Sequence, residues 1–191
     1  MMDEVAQRVD MVGYLTAEWK DPRLAYTPRD DKDVERAHQL GEIWMARFQF
    51  PNAVSPHTRY DSQLSVRPGG TVHCIERWSA SLSSHFYLER FPFDSQILRL
   101  SIQPFLANAE REILIASPEM TGIDADASEA LVQWRVGEIG IASRTVQVDN
   151  PGRRISQLDF NIAISRKHEF YVCKVLVPLL LMVCLSRTVF G

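Results

Sequence analysis

The sequence predicts an all-β sandwich followed by one apolar helix, and three observations carry that expectation. Apolar and polar residues alternate over several short segments. Clusters of turn residues divide those segments at intervals of roughly ten residues, the rhythm of a sandwich. The final stretch loses both features and becomes apolar on every side, over about the 20 residues that cross a bilayer core.

Taken in order, Val9, Met11, Leu15 and Ala17 alternate with Asp10, Val12, Tyr14 and Thr16, the period-two pattern of a strand with one face buried. Residues 30–41 (DDKDVERAHQLG) are expected to form a short helical or irregular segment stopped at Gly41. Arg67-Pro68-Gly69-Gly70-Thr71 supplies the turn joining strands near residues 63–66 and 72–79 into a hairpin. Leu98, Leu100 and Ile102 alternate with Arg99, Ser101 and Gln103, which predicts another strand with those polar residues outward. Residues 117–129, rich in Asp, Ala and Ser, are expected to be a loop. Asp149-Asn150-Pro151-Gly152 is the turn between strands at residues 141–148 and 154–166, where Leu158, Phe160, Ile162 and Ile164 set the inward face.

Residues 170–190 read FYVCKVLVPLLLMVCLSRTVF, with Lys174 and Arg187 placed to snorkel from either end. The boundary between sandwich and helix falls at residue 168, giving one domain over 1–168 and a truncated transmembrane helix over 169–191. The N-terminal Met1-Met2-Asp3-Glu4-Val5 has neither a basic nor an apolar region and predicts no signal peptide. Alone, that points to the cytoplasm; the apolar C-terminal run points to a membrane.

With 191 residues, 46% of them hydrophobic, the chain has enough apolar material for one well-formed core. A net charge of −3, mixed in sign, excludes a nucleic-acid surface. Three cysteines, Cys74, Cys173 and Cys184, have neither disulfide nor zinc spacing, and the two in the apolar tail are expected to be buried.

The motifs of catalysis are missing. The chain contains no GxSxG, HExxH, P-loop or dinucleotide fingerprint. Its five histidines (38, 57, 73, 85 and 168) lack ligand spacing. Asp124, Asp126 and Glu129 lack the glycine and spacing of a calcium loop and read as a solvated loop. No enzyme, metal or cofactor is expected.

Tyr87-Leu88-Glu89-Arg90-Phe91-Pro92-Phe93-Asp94-Ser95-Gln96 stands apart on physical grounds. Two aromatics flank a proline ahead of an aspartate, making a compact apolar tip and favouring a cis Phe91–Pro92 bond. FPFDSQ resembles the signature loop of the Cys-loop, or pentameric ligand-gated, ion channels. The two cysteines that close this loop in the animal receptors are matched by Ser84 and Leu98, so no disulfide forms, as in the prokaryotic branch. Trp19-Lys20-Asp21-Pro22-Arg23-Leu24 resembles the end of the family's second strand, and Gly41-Glu42-Ile43-Trp44 its tryptophan strand, with Ala46 in place of the usual proline. Gly70-Thr71-Val72 with Ile75-Glu76-Arg77-Trp78 resembles the following hairpin. Ile164-Ser165-Arg166 with Phe170 and Val177-Pro178-Leu179 resembles the start of the first pore-domain helix.

The resemblance, closest to the proton-gated bacterial members, implies an immunoglobulin-like β-sandwich lacking the family's first strand and followed by part of the first transmembrane helix. It implies a homopentamer set in lipid, in the bacterial inner membrane with this domain on the periplasmic side. An agonist or protons binding between neighbouring sandwiches would open a pore. It implies that Asp94, Arg166 and Glu4 form an ion network, with Phe91, Pro92 and Phe93 at the membrane end, as coupling residues. Arg77, Arg153 and Arg154 are the candidate ligand residues; segment 147–154 has no aromatic to cage an ammonium, so arginines there suit an anionic ligand. The acidic residue linked to proton sensing in the bacterial relatives falls at Gln7, which does not titrate. The alternatives on composition alone are a soluble sandwich that binds carbohydrate or protein, its tail a buried helix, and a hydrolase on a sandwich scaffold.

Overall fold

The computed structural model describes residues 2–105, 108–129, 131–148 and 152–190. Among the described residues nine strands form two antiparallel sheets. They are β1 (Met2–Asp3), β2 (Arg8–Lys20), β3 (Arg36–His38), β4 (Phe48–Gln49), β5 (Thr58–Val66), β6 (Thr71–Ser83), β7 (Ser95–Pro104), β8 (Trp134–Gln147) and β9 (Arg154–Arg166). One sheet has the order β1-β2-β6-β5-β3 and the other β4-β7-β9-β8. The sandwich read from alternation is therefore the fold.

The first sheet obeys the period-two rule closely. Along β6 every second residue from Val72 to Leu82 is buried: Val72, Cys74, Glu76, Trp78, Ala80 and Leu82. The one charge in that row, Glu76, is met by Arg59 Nε at 2.8 Å, as a buried carboxylate requires. In β2, Val9, Met11, Leu15 and Ala17 turn inward while Val12 and Tyr14 stay exposed. A Cβ on Gly13 would lie 3.2 Å from the Trp78 ring, so strand and indole pack as closely as a glycine allows. The β5–β6 hairpin closes through Gly70, which takes φ +77° and donates its N–H to the Arg67 carbonyl.

The second sheet departs from the rule. In β9 five consecutive residues, Ile155 to Asp159, are buried, and in β7 the row predicted to face water includes Ser101 and Gln103, at 3% and 4% exposure. On the core side of β9, the face of Leu158, the Ser156 hydroxyl accepts from the Leu114 N–H, and the Arg154 carbonyl accepts from Ala109. Polar residues remain on the opposite face because they satisfy one another. Gln49 donates to Gln103 at 3.2 Å, Gln103 to Gln157 at 2.6 Å, and Gln157 to Asp159 at 2.6 Å. Ser101 also donates to Asp159, whose other oxygen meets Arg144 at 2.6 Å.

Four smaller expectations are corrected. Residues 30–41 form turns and then β3 rather than a helix, with Gly41 at φ +96°. The Gly41–Trp44 segment is irregular; Trp44 is held edge-on against Trp19 at 5.6 Å, and the strand follows it as β4. The stretch expected to be a loop contains a 3-10 turn, Pro118–Met120, and a short helix α1, Ala125–Glu129, capped by Asp124 through the N–H groups of Asp126 and Ala127. Cys173 and Cys184 are exposed rather than buried. The turn expected at Asp149-Asn150-Pro151-Gly152 lies mostly outside the described residues.

The C-terminal run divides into α2 (Glu169–Tyr171), a π-helical turn (Val172–Leu176) and α3 (Val177–Phe190). The widened turn ends just before Pro178, which has no N–H for the Lys174 carbonyl and whose ring crowds it. α3 exposes Leu179, Leu180, Leu181, Met182, Val183 and Leu185, so its apolar surface lies all round. No helix among the described residues is long and apolar enough to cross a membrane.

Candidate functional site

The β7–β9 register sets Ser95 opposite Ser165, which carries Asp94 and Arg166 to the same end of the sandwich. The Arg166 N–H donates to the Asp94 carbonyl at 3.1 Å. Their side chains meet twice, Nε to Oδ1 at 2.7 Å and Nη2 to Oδ2 at 3.1 Å, the bidentate fork that guanidinium and carboxylate geometry permits. Arg166 Nη1 reaches Glu4 Oε1 at 2.9 Å, so the three residues singled out in the sequence do converge. The Arg166 and Asp94 side chains are 1% and 2% exposed, and Glu4 is 23% exposed.

Asp94 is ionised despite its surroundings. Burial pushes its carboxyl upward, but hydrogen bonds from Arg166 and Gln96 and the Arg166 charge outweigh it and hold the group below the usual carboxylate range. Burial likewise works against the charge on Arg166, and its bonds to Asp94 and Glu4 prevail and raise it further. Both shifts favour the charged forms and so favour the pair.

Gln96, the last residue of the FPFDSQ motif, shapes the loop. Its amide donates to Asp94 Oδ2 at 2.9 Å and to the Tyr87 carbonyl at 2.7 Å, and its oxygen accepts from the Tyr87 N–H at 3.0 Å. Between these fixed points Phe91–Pro92 is cis. Phe91 and Phe93 remain about half exposed and face the helix: the Phe91 ring meets Tyr171 at 4.9 Å and Phe93 meets His168 at 5.0 Å.

Two members of this site escaped the sequence reading. Trp134 lies opposite Arg166 in the β8–β9 register, and the guanidinium sits 4.2 Å from its ring centroid. Tyr171 contributes its hydroxyl to Arg166. An aromatic next to an arginine is detectable only once the strands are paired, and neither residue belongs to a motif. Gln7 has a structural part: at φ +52° its side chain accepts from the Phe86 N–H and donates to the Glu4 carbonyl, fastening the turn that presents Glu4.

The candidate ligand arginines do not gather in one place within the chain. Arg77 lies on the exposed side of β6, 5.5 Å from the Tyr60 ring. Arg153 and Arg154 stand at the start of β9 in the other sheet. Residues 149–151 of the segment between β8 and β9 lie outside the described residues. Among the described residues no group of His, Cys, Asp and Glu side chains is arranged to hold a metal ion.

Residues 1–168 match the family model described as the neurotransmitter-gated ion-channel ligand binding domain. The chain is 27% identical over 189 residues to a proton-gated ion channel of Gloeobacter violaceus, covering 99% of this chain and 52% of that protein. It is 25% identical over 181 residues to the human gamma-aminobutyric acid receptor subunit rho-3, covering 92% and 38%. It is also 25% identical over 192 residues to the Caenorhabditis elegans acetylcholine receptor subunit beta-type acr-2, covering 99% and 33%. The chain thus spans about half the length of the first of these relatives and less of the others. Their names describe an ion channel and receptor subunits, none of them an enzyme. With the two-sheet sandwich and the signature loop clamped on Asp94, the match over residues 1–168 makes this chain a member of the neurotransmitter-gated ion-channel ligand-binding domain family.

Proposed function

We propose that this chain is the ligand-binding and gating part of a bacterial pentameric ligand-gated ion channel. Residues 1–168 form the extracellular sandwich and 169–191 begin the first transmembrane helix in the inner membrane. The observation that carries this reading is the buried Asp94–Arg166 pair, which is followed within three residues by the first helical turn. A movement of the sandwich base cannot leave the start of the helix behind without breaking a bidentate contact.

The coupling group is Asp94, Arg166 and Glu4 with the Phe91, Pro92 and Phe93 step, in which Phe91 and Phe93, on either side of the buried Pro92, are turned to the membrane. The physical content is a shift between closed and open populations, driven by whatever binds the open state better. Arg77 and the Arg153–Arg154 pair lie on different sheets, and a ligand touching both is read as bridging two neighbouring copies. That arrangement suits a small carboxylate held by guanidinium groups. Proton gating is the second reading, favoured by the named activity of the Gloeobacter relative. With Gln7 engaged in neutral hydrogen bonds, the proton-responsive group would have to be another residue.

The test is electrophysiology on the full-length protein with pH steps and a panel of small carboxylates. Current evoked by either supports the reading; a full-length protein that needs no detergent and passes no current refutes it in favour of a soluble binding sandwich.

A further inference from the structure

One side chain of the helical run, Tyr171, touches three separate parts of the sandwich. Its hydroxyl accepts from Arg166 Nη1 at 3.4 Å and donates to Gln133 Oε1 at 3.2 Å. Its ring meets Phe91 edge-on at 4.9 Å and lies 5.7 Å from the Arg166 guanidinium carbon. Arg166 ends β9, Gln133 immediately precedes β8, and Phe91 belongs to the cis-proline loop. Three segments distant in sequence therefore converge on one residue of the first helical turn.

Gln133 is itself tied to the residue after Arg166. Its carbonyl accepts from the Lys167 N–H at 2.8 Å, and Lys167 Nζ donates to the Leu131 carbonyl at 3.0 Å. The Tyr171 hydroxyl thus closes a ring of contacts through Arg166, Lys167 and Gln133. Two other contacts between sandwich and helix are looser. Arg135 and Glu169 are 3.7 Å apart with both side chains more than half exposed, a solvated pair of small value. Phe93 and His168 share only a ring contact.

We propose that Tyr171 is a positioning residue that holds the first helical turn against the Arg166 site, so that a displacement of the sandwich base is carried into the helix. The proposal deepens the channel reading and rests on it. The ring and the hydroxyl do different work: the ring fills the space beside Phe91, and the hydroxyl sets the turn's orientation by bonding on both sides. A hydroxyl that bridges a charged donor and an amide acceptor has one orientation that satisfies both.

The experiment uses the full-length protein as wild type, Tyr171→Phe and Tyr171→Ala. Opening is recorded with pH steps and the small-carboxylate panel, and amide hydrogen exchange is followed residue by residue. Tyr171→Phe keeps the ring and loses one hydrogen bond. It should shift the opening response about three- to tenfold to higher stimulus while leaving binding unchanged, and should speed exchange at the Lys167 amide by a similar factor. Tyr171→Ala should do both more strongly. Exchange at amides of the sandwich core should stay as in wild type, which a general loss of stability would not allow. Wild-type exchange at Lys167 in Tyr171→Phe, or acceleration spread evenly over the chain, would overturn the positioning role. If the wild-type protein passes no current, the channel reading fails and the exchange measurement alone decides whether Tyr171 positions the turn.

Discussion

Arg166 and Asp94, 72 residues apart in the chain, are joined at three points: two side-chain hydrogen bonds and one between their main chains. The guanidinium also lies over the Trp134 ring and reaches Glu4, and the Arg166 side chain is 1% exposed. An ion pair this enclosed adds modest stability as a pair but is costly to break, because removing one charge strands the other.

Arg166→Ala should therefore destabilise the sandwich by about 3–5 kcal/mol, read as a lower denaturant midpoint. Arg166→Lys should recover only part of it, since an ammonium cannot make the two-point contact. In the full-length protein Arg166→Ala should suppress opening while ligand binding stays closer to normal. An Arg166→Ala protein with wild-type stability and wild-type opening would contradict the coupling role.

The acid limb of stability should follow the depressed carboxylates. Burial raises Asp94 and Asp159, and hydrogen bonding and neighbouring arginines more than reverse this; Asp33, bonded to Arg36, is lowered to about 2. Groups with folded values below their unfolded ones stabilise the fold above the unfolded carboxylate pKa, and that contribution disappears as pH falls through the folded values. Thermal midpoints should hold above about pH 5 and decline steadily below about pH 4. Asp94→Asn should start from a lower midpoint and decline less steeply over the same interval.

The buried amide ladder offers a contrast between two ends of one contact. Asp159→Ala leaves the Gln157 amide and the Ser101 hydroxyl buried without their acceptor, at about 1–3 kcal/mol for each stranded group. Arg144→Ala removes a side chain that is 51% exposed and should cost no more than about 1 kcal/mol. Equal losses in urea unfolding would mean that the Arg144 contact, not the ladder, holds Asp159.

Adjacent glycines in the β5–β6 turn should behave differently. A Cβ on Gly70 would lie 2.5 Å from the Asp21 carbonyl oxygen, at a φ of +77°. Gly70→Ala should destabilise by more than the roughly 1–2 kcal/mol of a left-handed residue alone. At Gly69 nothing lies within 4 Å of an added Cβ, so Gly69→Ala should be close to neutral. Circular-dichroism melts of the two variants decide it.

Strand content, the β5–β6 hairpin and the signature loop were legible in the residues themselves, because alternation, turn chemistry and an aromatic–proline–aromatic step act between near neighbours. Val9 to Ala17 in β2 show this directly, their inward row matching the alternation read from the sequence. The convergence of Asp94, Arg166 and Glu4 was anticipated by family resemblance, not by any local rule. Their distances, and the presence of Trp134 beside them, depend on the β7–β9 and β8–β9 registers, and that of Tyr171 on the path of the first helical turn. Only the tertiary structure decided that Ser101, Gln103, Gln157 and Asp159 are interior: a polar residue on a strand reads as outward until partners from other segments meet it, as Gln49 and Arg144 do here. Alternation records which side chains can be buried cheaply; whether a polar row is buried depends on partners far away in sequence that satisfy its hydrogen bonds.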